Sequence, residues 1–171
     1  SDDYVAYRVW DGAAWSPAAE ILAGPTGYSV VYDVAISRSS DRIYLLWRNA
    51  GHLYVSSAPL AGAVDPHLWR STSIAFVSEA SGVARMAVAP DDSIHVVYIS
   101  NNRILKHTAS SDGGLSWGNP DTIWALSSPD RAMDYQALII DARGTYHAAW
   151  QENLGAEQDW AAYAIGYSQP T

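Results

Sequence analysis

The stretch that decides the fold is Ser110-Ser111-Asp112-Gly113-Gly114-Leu115-Ser116-Trp117, which reads S-x-D-x-G-x-x-W. A run with the composition of a β-strand, Arg103 to Ala109, leads into it. Asp112 can accept hydrogen bonds from backbone N–H groups two residues further on, and the two glycines after it tolerate the positive φ of a tight turn. Trp117 can lay a large apolar ring against a sheet, while Ser110 can tie the turn back to the strand. The octet therefore predicts a single folded turn that follows a β-strand.

The octet resembles the Asp-box of the sialidase-like (BNR-repeat) β-propellers, in which this turn joins the third and fourth strands of a blade. The residues that carry the resemblance are Ser110, Asp112, Gly114 and Trp117. In that family the Asp-box is a structural device on the side of the propeller away from the ligand. The resemblance therefore implies propeller blades, with the ligand face at the opposite end of the strands.

An internal repeat supports the same fold. Trp47, Tyr98 and Trp150 are spaced by 51 and 52 residues, and each ends a unit of strand, polar turn and strand. A repeat of this length is typical of stacked units such as propeller blades. The predicted first (A) and second (B) strands of three blades are Asp33–Ile36 with Ile43–Trp47, Arg85–Val88 with Ile94–Tyr98, and Ala137–Ile140 with Thr145–Trp150.

The third (C) and fourth (D) strands complete the pattern. Shorter relatives of the octet, Asp11–Trp15 and Asp65–Trp69, stand between C and D strands. No stretch holds a helical periodicity, so the order is C-D, A-B-C-D, A-B-C-D, A-B-C and the fold class is all-β. We predict four-stranded antiparallel β-propeller blades, about three blades' worth, in one partial propeller domain. Its boundaries are residues 1–27 (C-D), 28–79, 80–130 (with the Asp-box) and 131–171. The C strands are Tyr4–Val9, Leu53–Ser57, Arg103–Ala109 and Ala162–Tyr167, and the D strands are Ala19–Leu22, Ser73–Val77 and Thr122–Leu126.

Ring closure is a separate question, because propellers have typically about four to eight blades. Two arrangements remain open. The chain is either part of a longer propeller, or copies associate so that the last strands of one copy meet the first C-D strands of the next. Two copies would give roughly six blades in a closed ring. Because repeats with unburied faces are poorly soluble alone, we predict a homo-oligomer, with a dimer favoured.

The composition excludes several classes of partner. The net charge of −8 and the absence of a basic run argue against nucleic acid. No apolar run approaches the ~20 residues that a membrane-spanning helix needs, so membrane insertion is not expected. The five histidines show no metal-ligand spacing and no phosphate loop is present, so we predict no metal and no cofactor. The resemblance implies a secreted or cell-surface protein of bacterial origin.

A set of polar residues falls where the resemblance implies the ligand face, in the loops after B strands and between D and the next A. Arginine and amide side chains suit sugar hydroxyls, although polar loops are also the ordinary surface of a protein. The leading hypothesis is a non-catalytic Asp-box module that binds a glycan or a protein there. The candidate ligand residues are Arg48, Asn49, Arg85, Asn101, Arg103, Arg131 and Gln136.

The first alternative hypothesis is a sialidase-like glycoside hydrolase, or a fragment of one. Enzymes of the resembled family hold the sialate carboxylate with three arginines and use a Tyr/Glu pair and an Asp, but the Arg-Ile-Pro motif is missing here. The candidate catalytic residues are Glu152, Tyr135 and Asp134, although no spacing rule supports the pairing. A pair of carboxylates among Asp130, Asp134 and Glu152 could also divide acid and base roles. The second alternative is a purely structural, self-assembling propeller fragment without a ligand.

Overall fold

The computed structural model describes residues 4–23, 29–76, 84–153 and 162–168, and these residues form antiparallel sheets. The chain divides into two compact units, Ser1–Phe76 and Val77–Thr171. The strands are β1 (Tyr4–Tyr7), β2 (Ala19–Ala23), β3 (Ser29–Ser37), β4 (Arg42–Asn49), β5 (His52–Pro59), β6 (Arg70–Phe76), β7 (Ala84–Val88), β8 (Ile94–Ser100), β9 (Ile104–Ser110), β10 (Asp121–Ala125), β11 (Ala132–Ile140), β12 (Tyr146–Asn153) and β13 (Ala162–Ser168).

The first unit holds the two-stranded sheet β1-β2 and the four-stranded sheet β3-β4-β5-β6. Alternate residues of β4 point to one face, where Ile43, Leu45 and Trp47 are buried in a cluster with Val5 and Ile21 of the smaller sheet. This period of two is the ordinary consequence of the β-pleat. The apolar face of the large sheet therefore packs on the small sheet.

The second unit holds the sheet β7-β8-β9-β10 and the three-stranded sheet β11-β12-β13. Its core joins the two sheets: Val97, Ile99 and Leu105 of the first sheet pack with buried Met133 and Trp150 of the second. The strand β8 is interior to its sheet, and it is buried along almost its whole length, as its apolar sequence indicates.

The predicted strand order is confirmed, because the sheets contain two, four, four and three strands in the order C-D, A-B-C-D, A-B-C-D, A-B-C. The octet Ser110–Trp117, called the Asp-box below after the motif that it resembles, joins β9 to β10, and its two shorter relatives join β1 to β2 and β5 to β6. The grouping of all four sheets into a single domain stays a prediction. In the described part of the chain, the helical segments are two single 3-10 turns, Leu60–Gly62 and Pro66–Leu68.

Some loop assignments were wrong, because the strands run further than predicted. Arg48 and Asn49 belong to β4, which turns into β5 through Ala50 and Gly51 alone, both with positive φ. Such two-residue turns let the ladder continue to the very end of a hairpin. Glu152 likewise belongs to β12 rather than to the loop after it, whereas Arg85 lies in β7 as the predicted A strand Arg85–Val88 has it.

The same correction applies to residues 134–136, which were placed in a loop. They lie in β11, where the register shifts between Asp134 and Gln136, as a β-bulge does. The side chain of Tyr135 lies outside the described part of the structure. No helix among the described residues has the length and apolar character needed to cross a membrane.

Candidate functional site

The Asp-box closes one end of the second unit with a compact hydrogen-bond network. Asp112 Oδ1 accepts from the backbone N–H of Leu115 at 3.0 Å and of Ser116 at 2.9 Å, three and four residues further on rather than two. Ser110 Oγ donates to Asp112 Oδ1 at 2.7 Å and accepts from Gly114 N–H at 2.9 Å. Hydrogen bonds from Ser116, first its hydroxyl and then its amide, hold the pKa of Asp112 well below its usual range. These hydrogen bonds all lie within the octet and stabilise its turn.

The two shorter relatives keep the capping aspartate but differ in the tryptophan. Asp11 accepts from the N–H groups of Ala13 and Ala14, both at 2.8 Å. Asp65 accepts from His67 N–H at 2.9 Å and caps a single 3-10 turn. The following Trp69 is buried and donates through Nε1 to the carbonyl of Ala63, whereas Trp15 is exposed. All three turns are therefore architectural.

The opposite end of the second unit holds a buried carboxylate. Glu152, at the end of β12, is only 7% exposed. Its Oε2 lies 3.4 Å from Arg131 Nη1, and its Oε1 accepts from Trp150 Nε1 at 3.3 Å. Arg131 and Glu152 were both predicted as site residues, and the structure brings them into contact.

Buried polar atoms that the protein does not satisfy lie in the middle of β11, on Gln136, and at this end, on Asn102. Gln136 is 4% exposed, and in the described part of the chain neither its Oε1 nor its Nε2 has a hydrogen-bond partner. Asn102 Oδ1 is buried and unpartnered in the same sense. Asn102 sits in the turn between β8 and β9, and its carbonyl accepts from Met133 N–H of β11 at 2.7 Å. Buried polar groups are nearly always hydrogen-bonded, so the lack of partners for these three atoms requires an explanation.

The remaining candidates have other surroundings. Arg103 donates through Nη2 to the carbonyls of Leu126 and Ser128, which ties the segment after β10 to the turn after β8. Asn101 is exposed in that turn, with a φ of 53°. Arg85 donates through Nη1 to the carbonyl of Ala84.

Three further candidates lie within strands. Asp134 is half-buried and stands opposite Gln151 in the ladder of β11 and β12. In the first unit, Arg48 is half-buried and Asn49 is fully buried at the end of β4. Each of the two is therefore fixed by a strand rather than carried on a loop.

Sequence reasoning missed two contributors to this end of the second unit. The sequence indicates Trp150 only as the last residue of a repeat unit. In the structure its indole N–H donates to Glu152, and its ring lies 6.0 Å from that of Trp124. The predicted ligand residues include Asn101 but not its neighbour Asn102. Two consecutive asparagines after a B strand are a signal for left-handed backbone, and both do have positive φ. Among the described residues, no three His, Asp or Glu side chains gather as metal ligands would.

Comparison with known proteins identifies the fold. The NanB sialidase of Streptococcus pneumoniae matches with TM-scores of 0.66 and 0.67 in two of its structures, at 14% identity, over 97% of this chain and 26% of that chain. A GH43 glycoside hydrolase engineered to show both endo-xylanase and exo-arabinofuranosidase activity matches with a TM-score of 0.55 at 18% identity, over 98% of this chain and 35% of that chain. The chain thus spans about a quarter to a third of these enzymes. No protein-family model and no curated protein matches it in sequence.

These comparisons establish the class of fold and no more, because the identities are low. The chain has a sialidase-like β-propeller fold, built here as all-β sheets of two to four antiparallel strands. The predicted fold class is confirmed.

Proposed function

We propose that this chain is a non-catalytic Asp-box propeller module that binds a glycan, free or carried on a protein, at the end of the blades opposite the Asp-box. The observation that carries the proposal is the unpartnered amide of Gln136 in the middle of β11, together with the unpartnered Oδ1 of Asn102 at that end. An unsatisfied buried polar group costs about 1–3 kcal/mol, so a fold keeps it where a polar ligand or water supplies the missing bonds.

The chemistry favours a neutral sugar over a sialate. A carboxylate ligand is best held by guanidinium groups that can approach it in pairs. Arg103 is engaged by two backbone carbonyls, and Arg131 is neutralised by Glu152. An amide, which offers both donors and acceptors, suits the hydroxyl groups of a neutral sugar.

A non-catalytic role fits the state of Glu152. This carboxylate is buried, and each of its oxygens already has a partner, Arg131 or Trp150. A nucleophile or general acid needs direct access to the substrate. We therefore assign Glu152 a positioning role, in which it orients the half-exposed Arg131 at the rim.

A glycan array followed by calorimetric titration of the 171-residue chain tests the proposal. We expect binding of a neutral glycan without turnover, weakened at least about tenfold by Arg131→Ala or Asn101→Ala. Arg143→Ala, in the turn between β11 and β12 at the other end of the same sheet, is the matched control and should bind normally. Binding that survives both rim variants but is lost in Arg143→Ala would overturn the assignment of the face.

A glycoside hydrolase fragment is the second candidate, because the fold is shared with a sialidase and a GH43 enzyme. It predicts release of 4-methylumbelliferone from sialosides, arabinofuranosides or xylosides, abolished by Glu152→Gln or Tyr135→Phe. Since this chain spans only part of those enzymes, the assay should be run on the longest natural chain that contains it. No release from any of the three substrates would exclude this candidate.

Self-assembly is the third candidate, and it is compatible with glycan binding. The first and last sheets have two and three strands, whereas the inner sheets have four. A homodimer in which one copy's last strands meet the other's first would extend these sheets. Light scattering in solution tests this: a dimer is expected, and a monodisperse monomer would contradict it. We also propose a secreted or cell-surface location in a bacterium, which cell fractionation would test.

A further inference from the structure

A cluster of five polar side chains links the two sheets of the second unit at the Asp-box end. Asp91 and Ser93 lie in and just after the turn between β7 and β8, His95 in β8, His107 in β9 and Tyr146 at the start of β12. His95 is 4% exposed. No part of the proposed glycan site uses these residues.

The hydrogen bonds of the cluster form a directed chain. Ser93 Oγ donates its single hydrogen to Asp91 Oδ1 at 2.6 Å, so His95 Nε2, 2.7 Å from Ser93 Oγ, must be the donor in that contact. The other nitrogen of this ring, Nδ1, is then an acceptor. It lies 3.0 Å from His107 Nε2, which must carry the hydrogen. His95 is thus assigned the neutral Nε2–H tautomer, and His107 carries a hydrogen on Nε2.

This direction makes the cluster intolerant of an added proton. The only basic nitrogen of His95 is Nδ1, and it already accepts from His107. Protonation there would set two N–H groups against each other at 3.0 Å, or would force His107 to move its hydrogen from Nε2 to Nδ1 so that its Nε2 could accept. The two rings are also stacked, with centroids 5.2 Å apart and planes at 5°, so a positive charge on one ring repels a charge on the other.

The cluster also joins two sheets. The ring of Tyr146 lies 4.3 Å from that of His95, and its hydroxyl is 3.2 Å from His95 Nε2. A cleft of about 310 Å³, lined by Asp91, Arg143 and Tyr146 among others, opens beside this contact. Asp91 and Tyr146 of the cluster therefore line a cleft, whereas His95 and His107 do not.

We propose that His95, His107 and Tyr146 form an acid-sensitive junction between the sheets β7-β10 and β11-β13, which loosens when His95 takes up a proton. The charged groups that face the pair are Asp91 from the turn before β8 and Asp121, which stands opposite His107 in β10. Both carboxylates favour protonated imidazole, but burial opposes them. Burial and the neighbouring His107 lower the pKa of His95 to about 4, and burial lowers that of His107.

The lowered pKa of His95 makes the folded chain less stable in acid. A histidine whose pKa is lower in the folded than in the unfolded state contributes stability above its unfolded value near 6.5. That stability is lost as the pH falls from about 6.5 towards 4, because the unfolded or opened chain takes up the proton first. None of the cluster residues belongs to the proposed glycan site.

Urea unfolding of the whole chain at pH 7.5 and pH 5.0 tests the junction. The unfolding equilibrium constant should rise roughly 30-fold between these pH values from His95 alone. His95→Gln, which cannot be protonated, should remove most of this rise. His147→Gln is the matched control, because His147 holds the same place in β12 and its side chain is 31% exposed beside Asp141; it should leave the rise intact.

Two-bond ¹H–¹⁵N spectra of the wild-type imidazoles give a second measurement if a variant does not fold. Between pH 7.5 and 5.5, His95 should remain a neutral Nε2–H tautomer. Titration of His95 near pH 6.5, or an undiminished rise in His95→Gln, would overturn the proposal.

Discussion

The two ends of the second unit differ in how fully their buried polar groups are hydrogen-bonded. At the Asp-box end, the buried side chains of Ser110 and His95 each make at least two hydrogen bonds, and among the described groups there the indole N–H of Trp117 is the exception. Towards the other end, the buried Glu152 has a partner for each oxygen, but the equally buried amide of Gln136, in the middle of β11, has none and neither has Asn102 Oδ1. Both ends belong to the same sheets, so sheet geometry is not the cause of the difference.

Partnered and unpartnered buried polar groups affect the stability of this unit in opposite directions. A satisfied polar network contributes to stability, typically about 1 kcal/mol for each bond. An unsatisfied one detracts from stability and is tolerated where activity requires it. Under the proposed function, the Asp-box end stabilises the blade, and the region of Gln136 and Asn102 binds the ligand.

The largest expected effect is that of Trp150→Ala, because Trp150 supports both the core and Glu152. Trp150 is 5% exposed, lies in the cluster between the two sheets, and donates to Glu152. Truncation of a buried Trp costs about 3–5 kcal/mol. Urea unfolding should show this loss. Trp124→Ala, at a 46% exposed ring in contact with Trp150, is the control and should cost much less; equal losses would refute a special role for Trp150.

The comparison is put to its sharpest test by Gln136→Met. Methionine keeps the shape of glutamine and removes the two unpartnered atoms, so the free energy of unfolding should increase by about 1–3 kcal/mol. Glycan affinity should fall at the same time. A destabilised variant would mean that Gln136 has a structural partner, and the assignment of this end as the ligand face would then fail.

The corresponding change at the Asp-box end is Thr108→Val. Thr108 is 2% exposed and donates through Oγ1 to the carbonyl of Gly118 at 2.7 Å. This near-isosteric change removes a satisfied bond, so it should destabilise by about 1 kcal/mol. Thermal unfolding of both variants side by side tests the contrast. Shifts of the same sign for Thr108→Val and Gln136→Met would erase the difference between the ends.

Much of the fold could be predicted from the sequence, because its signals are local. Aromatic residues that end successive B strands set the repeat, and the octet set the position of the C-D connection. Strand ends were less well predicted. The turn Ala50–Gly51 is so short that Arg48 and Asn49 remain in the ladder, which composition does not reveal.

The burial of the site residues could not be predicted, because it depends on register. A single bulge between Asp134 and Gln136 decides which face of β11 carries the amide, since a shift of one residue turns a side chain to the other face. The pairing of His95 with His107 likewise needs the register of β8 and β9. His95 stands opposite Ala109, so His107 is its diagonal neighbour on the same face.

The smallest effect at neutral pH is expected for Asp112→Asn, in the octet itself. The amide oxygen of asparagine can still accept from Leu115 and Ser116 N–H, but it lacks the charge that strengthens these bonds. Because the folded pKa of Asp112 is lowered, the wild-type carboxylate contributes stability above its ordinary value near 4 and loses it as the pH falls further.

Thermal unfolding of wild type and Asp112→Asn at pH 7 and pH 2.5 checks this sign. The wild type should be the more stable at pH 7, and the difference should shrink at pH 2.5. Asp11→Asn is the matched control: Asp11 accepts only from backbone groups, and its pKa is also lowered, so the same trend should be smaller. A difference that grows at low pH would mean that the octet is held by its serines and glycines rather than by the charge of Asp112.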